Sequence, residues 1–362
     1  MSRPERTGEL GRPAAPGARM LAEIREQPET LRRLAARSDD FERVARAVRA
    51  HGTRLVRLVG HGSSDNAASY GVYAFGLLPR WTALRDSITL TVYYEHGPEL
   101  AESAVVALSQ SGQTPDVVEY VRRARAAGAF TVAVTNEPGS ELADAAATVL
   151  TLGAGPEQAV AATKTYTAQL AALALLAGHL AGEGAVVAAG LDEAADLLER
   201  HLGELERRAE ALALPFAYVG RMFVIGRGPE FATAREIALK LLETCRVAAE
   251  PLTATDLAHG PVAALDALFP VWAIASRDAT LPAVADAVER IRAAGATLVA
   301  SGTAAGDVAG ADYTIPVPEP SLPLLAPLLS VVPGQLFARA LSRARSLDPD
   351  RPAGLSKVTL AR

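Results

Sequence analysis

The 362-residue chain is 49% hydrophobic and 21% charged, with a formal net charge of -5; it is long enough for two cores of ordinary size and lacks the basic excess that a nucleic-acid partner requires. Its one cysteine, Cys245, and its scattered histidines exclude an internal disulfide and a zinc site of the usual spacing, which suits a reducing cytoplasm, no cofactor and no structural metal.

Taken in chain order, the first twenty residues mix Arg, Glu, Gly and Pro without the apolar stretch of a signal peptide and read as a flexible leader, with a helix before residue 40. The run Leu55-Val56-Arg57-Leu58-Val59 enters Gly60-His61-Gly62-Ser63-Ser64, a strand and a glycine turn. A buried strand over Ala104–Leu108 meets the hydroxyl-rich turn Ser109-Gln110-Ser111-Gly112-Gln113-Thr114, and an amphipathic helix follows from Pro115 to Ala127. Ala168–Leu180, interrupted by Gln169 and His179, is too short for a bilayer and reads as a buried Ala/Leu helix, so no membrane partner is expected. Leu191–Ala211 is a charged linking helix. Met222–Ile225 then enters Gly226-Arg227-Gly228, again a strand and a turn. The helix predicted from Thr233 to about Arg246 sets Glu236, Lys240 and Glu243 on one face and Ala238, Leu241, Leu242 and Cys245 on the other. A short helix over Ala254–Leu257 stops at His259-Gly260-Pro261, and Val271–Ala275 and Leu281–Ala294 form a further strand and helix.

These elements occur twice in the same order. A shift of roughly 167 residues carries Gly60 to Gly226, Ser109 to Ser276 and Gly128 to Gly295, which is the scale of a duplicated domain and not of a short solenoid repeat. Apolar strands alternating with amphipathic helices predict an α/β, doubly wound parallel sheet in each copy. The expected division is a leader and helix over 1–38, a first domain over 39–190, the linker over 191–211, a second domain over 212–346 and a closing tail over 347–362. Ligands of such sheets bind beyond the carboxyl ends of the strands, which directs attention to the loops after Val59, Leu108, Ile225 and Ala275.

The turn Ser109–Thr114 stands in front of a helix, where unpaired amides and the positive end of the macrodipole join serine and threonine hydroxyls to receive a phosphate dianion. Taken alone, these residues are more often caps and turn formers, and it is their place at a strand's carboxyl end that favours the phosphate. The equivalent turn of the second copy, Ser276-Arg277-Asp278-Ala279-Thr280, lacks the glycine and carries a carboxylate that repels phosphate, so one phosphate site per chain is expected. The stripe Glu236, Lys240, Glu243 is most often a solvated face with an ion pair. A lone histidine such as His259 is most often structural, although the Gly-Pro pair after it would fix its ring, and a lysine near the terminus such as Lys357 is most often solvated.

Together the segments resemble the isomerase half of glucosamine-6-phosphate synthase and, more closely, the deaminases of glucosamine 6-phosphate built from two sugar-isomerase (SIS) domains. The resemblance rests on Gly60–Ser64, Ser109–Thr114, Ala159-Val160-Ala161-Ala162-Thr163-Lys164, Arg235–Glu243, His259-Gly260-Pro261 and Asp348–Lys357. It implies two tandem SIS domains of flavodoxin-like order and a hexosamine 6-phosphate substrate whose phosphate is held by Ser109, Gln110, Ser111 and Thr114, with Ser63, Ser64, Val160 and Ala161 lining the sugar pocket. It implies Glu243 as the base between carbons 1 and 2, tuned by Lys240 or Glu236. It further implies His259 as a ring-opening acid–base reaching a neighbouring subunit of a homodimer, and Lys357 as the tail lysine that forms a Schiff base in the synthases. The synthases use a cysteine after the initiator Met to hydrolyse glutamine; Ser2 stands here, so no glutaminase activity is expected. Ala162, where the synthases have serine, and the Pro-Ala-Gly-Leu tail favour the deaminases. Asp256 replaces the relatives' glutamate three residues before the histidine. The expected reaction is glucosamine 6-phosphate to fructose 6-phosphate and ammonia; the alternatives are a ketosamine-phosphate deglycase, a glutaminase-less isomerase and a noncatalytic sugar-phosphate sensor.

Overall fold

The apolar runs between the glycine turns become the inner strands of two parallel sheets in the computed structural model, which describes residues 15–94 and 98–357. Most of the expected leader, Ser2 with it, and the last five residues of the tail lie outside the described residues. Three helices, α1 (Ala18–Arg25), α2 (Gln27–Ala36) and α3 (Ser38–His51), precede the first sheet, where a single helix was expected. The first half then runs β1 (Leu55–Val59), α4 (Ser63–Leu77), β2 (Thr82–Arg85), α5 (Ile88–Tyr93), β3 (Ser103–Leu108), α6 (Pro115–Ala126), β4 (Phe130–Thr135), α7 (Glu141–Ala145), β5 (Thr148–Thr151) and α8 (Lys164–Ala181). After α9 (Gly184–Ala213) come β6 (Arg221–Gly226), α10 (Glu230–Cys245), β7 (Ala248–Thr253), β8 (Pro270–Ile274), α11 (Leu281–Ala293), β9 (Thr297–Gly302), β10 (Tyr313–Pro316) and α12 (Ala326–Ala344).

The sheet orders are β2-β1-β3-β4-β5 and β7-β6-β8-β9-β10, the same order twice, with all strand pairs parallel. In this flavodoxin-like order the winding reverses between β1 and β3, and between β6 and β8, so a crevice opens there beyond the strand ends. The repeated Ala-Gly landmarks have one physical cause. Gly128 (φ +93°) and Gly295 (φ +72°) lie in the left-handed conformation just past α6 and α11, where glycine ends a helix without steric penalty.

β3 and β8 are buried along their whole length, as strands covered on both faces must be. The short edge strands β2 and β5 escape the periodic reading because they are only partly buried. The linking helix begins seven residues before the expected Leu191. In place of the helix over Ala254–Leu257 the chain makes a tight 3-10 turn over Asp256–His259, with Gly260 at φ +134° and a second such turn from Pro261. The largest core lies between the two sheets and draws on both halves, from Met20 and Phe75 through Leu173 and Leu198 to Trp272 and Phe337. Among the described residues one helical segment, Pro323–Ala344, is long and apolar enough to cross a membrane, and it is mostly buried within the protein.

Candidate active site

At the β1/β3 crevice two helix N-termini converge, α4 after Gly60-His61-Gly62 and α6 after Ser109–Thr114. Gly112 shapes the second loop. Its φ is +62°, and a Cβ there would lie 2.0 Å from the Ser140 hydroxyl, so no larger residue fits. The Gly112 amide donates to Ser109 Oγ at 3.1 Å, the hydroxyls of Ser109 and Thr114 are 3.1 Å apart, and the Gln113 amide donates to Ser111 Oγ at 3.3 Å. Hydroxyls and amides are thereby gathered at the positive end of α6, an arrangement that receives an oxyanion.

The crevice continues into a cleft of about 540 Å³ lined by Ser63, Ser64, Ser109, Gln110, Ser111 and Thr114 on one side and by Val160, Ala162, Lys240, Glu243 and Lys357 on the other, with His61 and Asp116 at its rim. Eleven of the thirteen residues singled out from sequence are thus accounted for within it, or, for Glu236, directly beneath it. Two are not. Ala161 is buried and does not line the cleft, because the loop turns its neighbours Val160 and Ala162 inward instead. His259, at the end of its 3-10 turn, is exposed and outside the cleft of its own chain.

The acidic stripe of α10 is the largest departure from expectation. Instead of facing solvent it packs on α4. Glu236 is 0% exposed and Lys240 1%. Ser63 Oγ and Asn66 Nδ2 each donate to the Glu236 carboxylate at 2.9 Å, while Lys240 Nζ donates to Glu243 at 2.6 Å and lies 3.4 Å from Glu236. Arg235 extends the seam, donating to Asp65 and to Ser69, both at 2.7 Å. Buried charge persists where it is paired and hydrogen-bonded, and here each half supplies the other's partners. Burial opposes the charge on Lys240, but Glu236 and Glu243 outweigh it and hold the ammonium well above lysine's usual range. Burial pushes the Glu236 carboxyl up despite Lys240 and Asn66. Glu236 thus lies beneath the cleft, in contact with Lys240 and Ser63, whereas Glu243, half-buried, is the α10 carboxylate at the cleft wall. Leu242, assigned to the buried side, is 55% exposed.

Lys357 comes from the tail, donating to Glu157 Oε2 and to the Ala159 carbonyl, each at 2.7 Å. Glu157, to which the sequence reading gave no role, sits two residues before the motif beginning at Ala159. His61 and Asp116 were likewise given no role, yet the His61 ring lies 2.8 Å from the Asp116 carboxylate at the rim. The signal for both was position, directly beside the two loops already marked.

The second crevice is closed. Glu230, 2% exposed, fills the β6/β8 switch point, where the hydroxyls of Ser276 and Thr233 donate to it at 2.6 Å. Asp278 is engaged by Thr280 at 2.6 Å. The chain's own Glu230 carboxyl group thus occupies the position equivalent to the open crevice of the first half.

The SIS-domain profile matches residues 54–178 and 216–342, one match for each sheet. The chain belongs to the SIS-domain family. It is 36% identical over 348 residues to the glutamine–fructose-6-phosphate aminotransferase (isomerizing) of Pyrobaculum aerophilum, covering 94% of this chain and 57% of that protein. The chain thus spans little more than half the length of the curated relatives it matches. A Silicibacter pomeroyi protein described as a candidate phosphosugar isomerase is 33% identical, with a TM-score of 0.81 over 91% of this chain and 99% of that one. A glucosamine-6-phosphate deaminase from Thermotoga maritima shares the fold, at 21% identity and a TM-score of 0.77 over 95% and 100% of the two chains. In this SIS pair, the hydroxyl-lined crevice belongs to the first domain, and the ionisable side chains of Lys240 and Glu243 reach it from the second domain and that of Lys357 from the tail.

Proposed function

We propose that the chain is a cytoplasmic amino-sugar-phosphate isomerase that converts glucosamine 6-phosphate and water to fructose 6-phosphate and ammonia. The observation that carries this reading is the single cleft in which Glu243, Lys240 and Lys357 face an oxyanion-receiving loop. With the phosphate on Ser109, Ser111 and Thr114, binding energy remote from the reacting carbons fixes the open-chain sugar against α10. Glu243 removes the proton from carbon 2 of the aldehyde and returns one to carbon 1 through an enolamine, leaving a ketimine. Water adds to carbon 2 of the ketimine and ammonia leaves. Lys240, bonded to Glu243, keeps that carboxylate in place.

No glutaminase activity is expected of this chain. Its one cysteine is buried on α10, donates to the Ala338 carbonyl at 3.0 Å, and has its thiol pushed up by burial to about 11, whereas a nucleophilic cysteine needs an exposed thiolate. We further propose a homodimer in which the exposed His259 opens the sugar ring in the partner's cleft.

The test is release of ammonia and fructose 6-phosphate from glucosamine 6-phosphate, with galactosamine 6-phosphate and fructosamine 6-phosphate alongside. Turnover of glucosamine 6-phosphate that Glu243→Gln abolishes is expected. Turnover of fructosamine 6-phosphate alone would make the chain a deglycase, and silence on all three with intact fructose 6-phosphate binding would leave a sensor. Mixing inactive Glu243→Gln with inactive His259→Ala should restore activity if the histidine crosses between subunits.

A further inference from the structure

The turn Ser109–Thr114 contains no lysine or arginine, and the two lysines that line the cleft are matched by carboxylates. Lys240 donates to Glu243 at 2.6 Å and lies 3.4 Å from Glu236, and Lys357 donates to Glu157 at 2.7 Å. Asp116 adds a further carboxylate in the first turn of α6, two residues past Thr114. One of its oxygens accepts from the Val117 amide at 2.9 Å, so it shares the positive end of that helix with any anion on the turn. Like charges sharing one helix end repel, and a phosphate dianion entering here needs a cation that the turn does not contain.

His61 stands where that cation is needed. It lies in the turn between β1 and α4 and lines the same cleft as Ser109, Ser111 and Thr114. Its Nε2 is 2.8 Å from Asp116 Oδ2, and its other ring nitrogen, Nδ1, makes no hydrogen bond among the described residues. As an exposed ion pair alone, this contact is worth little. The remaining charges around it are engaged elsewhere. Asp65 on α4 accepts from Arg85 at 2.5 Å and from Arg235 at 2.7 Å, and Glu119, a turn beyond Asp116, is paired with Arg123 at 2.8 Å. Across the cleft stand the paired Lys240 and Glu243 of α10 and Lys357 of the tail.

The hydrogen count of the ring decides what it can do between two anions. A neutral imidazole has one N–H and one lone pair, so a ring that donates to Asp116 can only accept at its second nitrogen. A phosphate dianion also only accepts. A ring that meets the Asp116 carboxylate on one side and a phosphate oxygen on the other must therefore carry both hydrogens, which is the imidazolium form, and histidine is the side chain that ordinarily changes charge between about pH 5 and 8.

We propose that His61 is the cation of the sugar-phosphate site: it bridges Asp116 and the bound phosphate as an imidazolium, so that binding places a proton from solvent on Nδ1. This rests on the reading of the cleft as a sugar-phosphate site and adds the form in which the ligand is held, a dianion together with one proton. The test is titration calorimetry of fructose 6-phosphate at about pH 7.5 in two buffers of different ionisation enthalpy. A phosphate monoester, with a second pKa of about 6, is already dianionic there, so its own ionisation contributes little. Wild type is expected to take up a fraction of a proton on binding and to bind more weakly as pH rises from about 7 to 8.5, because the bound state holds the extra proton. His61→Asn is expected to bind about tenfold more weakly at pH 7, as loss of a hydrogen bond to a charged group does, with no proton uptake and a flat pH profile. In Asp116→Asn the new amide can donate to the ring, a neutral imidazole then suffices for the phosphate, and binding without proton uptake is expected. Binding by wild type without uptake, or uptake that survives in either variant, overturns this proposal alone. No binding of fructose 6-phosphate by wild type overturns it together with the reading of the cleft, and a failure of the deaminase reading appears separately, as absent ammonia release.

Discussion

The two crevices of this molecule have the same strand order and opposite fates. At β1/β3 the turn is built from serines, a threonine and a left-handed glycine, and Ser109, Ser111 and Thr114 line the open cleft at the start of α6. At β6/β8 the corresponding position is occupied by Glu230, with Ser276 and Thr233 as its donors. One duplicated framework thus yields an open, hydroxyl-lined crevice in one half and a crevice filled by the chain's own carboxyl group in the other. Relieved of binding, the second half contributes α10, whose Glu236, Lys240 and Glu243 fold back over α4 and complete the site in the first. The duplicated halves have become complementary, and neither holds a full site by itself.

This comparison can be broken most directly at α10. Glu243→Gln is expected to lower turnover by about a hundred- to ten-thousand-fold, the usual contribution of a positioned base, with fructose 6-phosphate binding retained by calorimetry. Retained turnover would mean that the second half supplies only scaffold. A smaller effect is expected at the loops. Thr114→Val should raise KM for the sugar phosphate by about ten- to a hundredfold, as loss of a hydrogen bond to a charged group does, whereas Ser276→Ala at the closed crevice should leave KM unchanged and cost ~1–3 kcal/mol of stability instead. Equal changes in KM would show that both crevices bind ligand.

The smallest effect, and the most specific, is in the pH dependence of stability. Burial raises the Glu230 carboxyl above its ordinary 4.5, against the hydroxyls of Ser276 and Thr233. The folded state therefore holds that proton more tightly than the unfolded chain. Its contribution is fully present below pH 4.5 and is lost as pH rises through the raised value. Denaturant unfolding should show wild type losing ground to Glu230→Gln as pH rises through that window. The opposite slope would mean that Glu230 is held charged, with a cation near it that the fold does not supply.

Much of this was legible in the chain. The strands β1, β3, β6 and β8 announce themselves as apolar runs because both faces of a parallel strand are covered, and the duplication is audible in glycines that recur wherever a helix must end in the left-handed conformation. The hydroxyl-rich turn Ser109–Thr114 at the cleft was legible for a similar reason, since its residues are contiguous and follow a strand end. The short edges β2 and β5 were not, being half-exposed and without a strong period. Nor was Glu157, which is 200 residues from Lys357, or the Glu230 that closes the second crevice, because a carboxylate in a helix carries no local sign of whether it will be buried.

The sequence by itself determined the class of fold, the twofold repeat and the hydroxyl-rich turn at the end of β3, all of which follow from periodicity and turn chemistry acting over a few residues. Only the tertiary structure decided that the charged face of α10 is an interior seam, that His259 stands outside its own cleft and that Lys357 is tied to a buried carboxylate. Those outcomes depend on which partners arrive from more than a hundred residues away, and a charge is tolerated in the interior only when such partners meet it there.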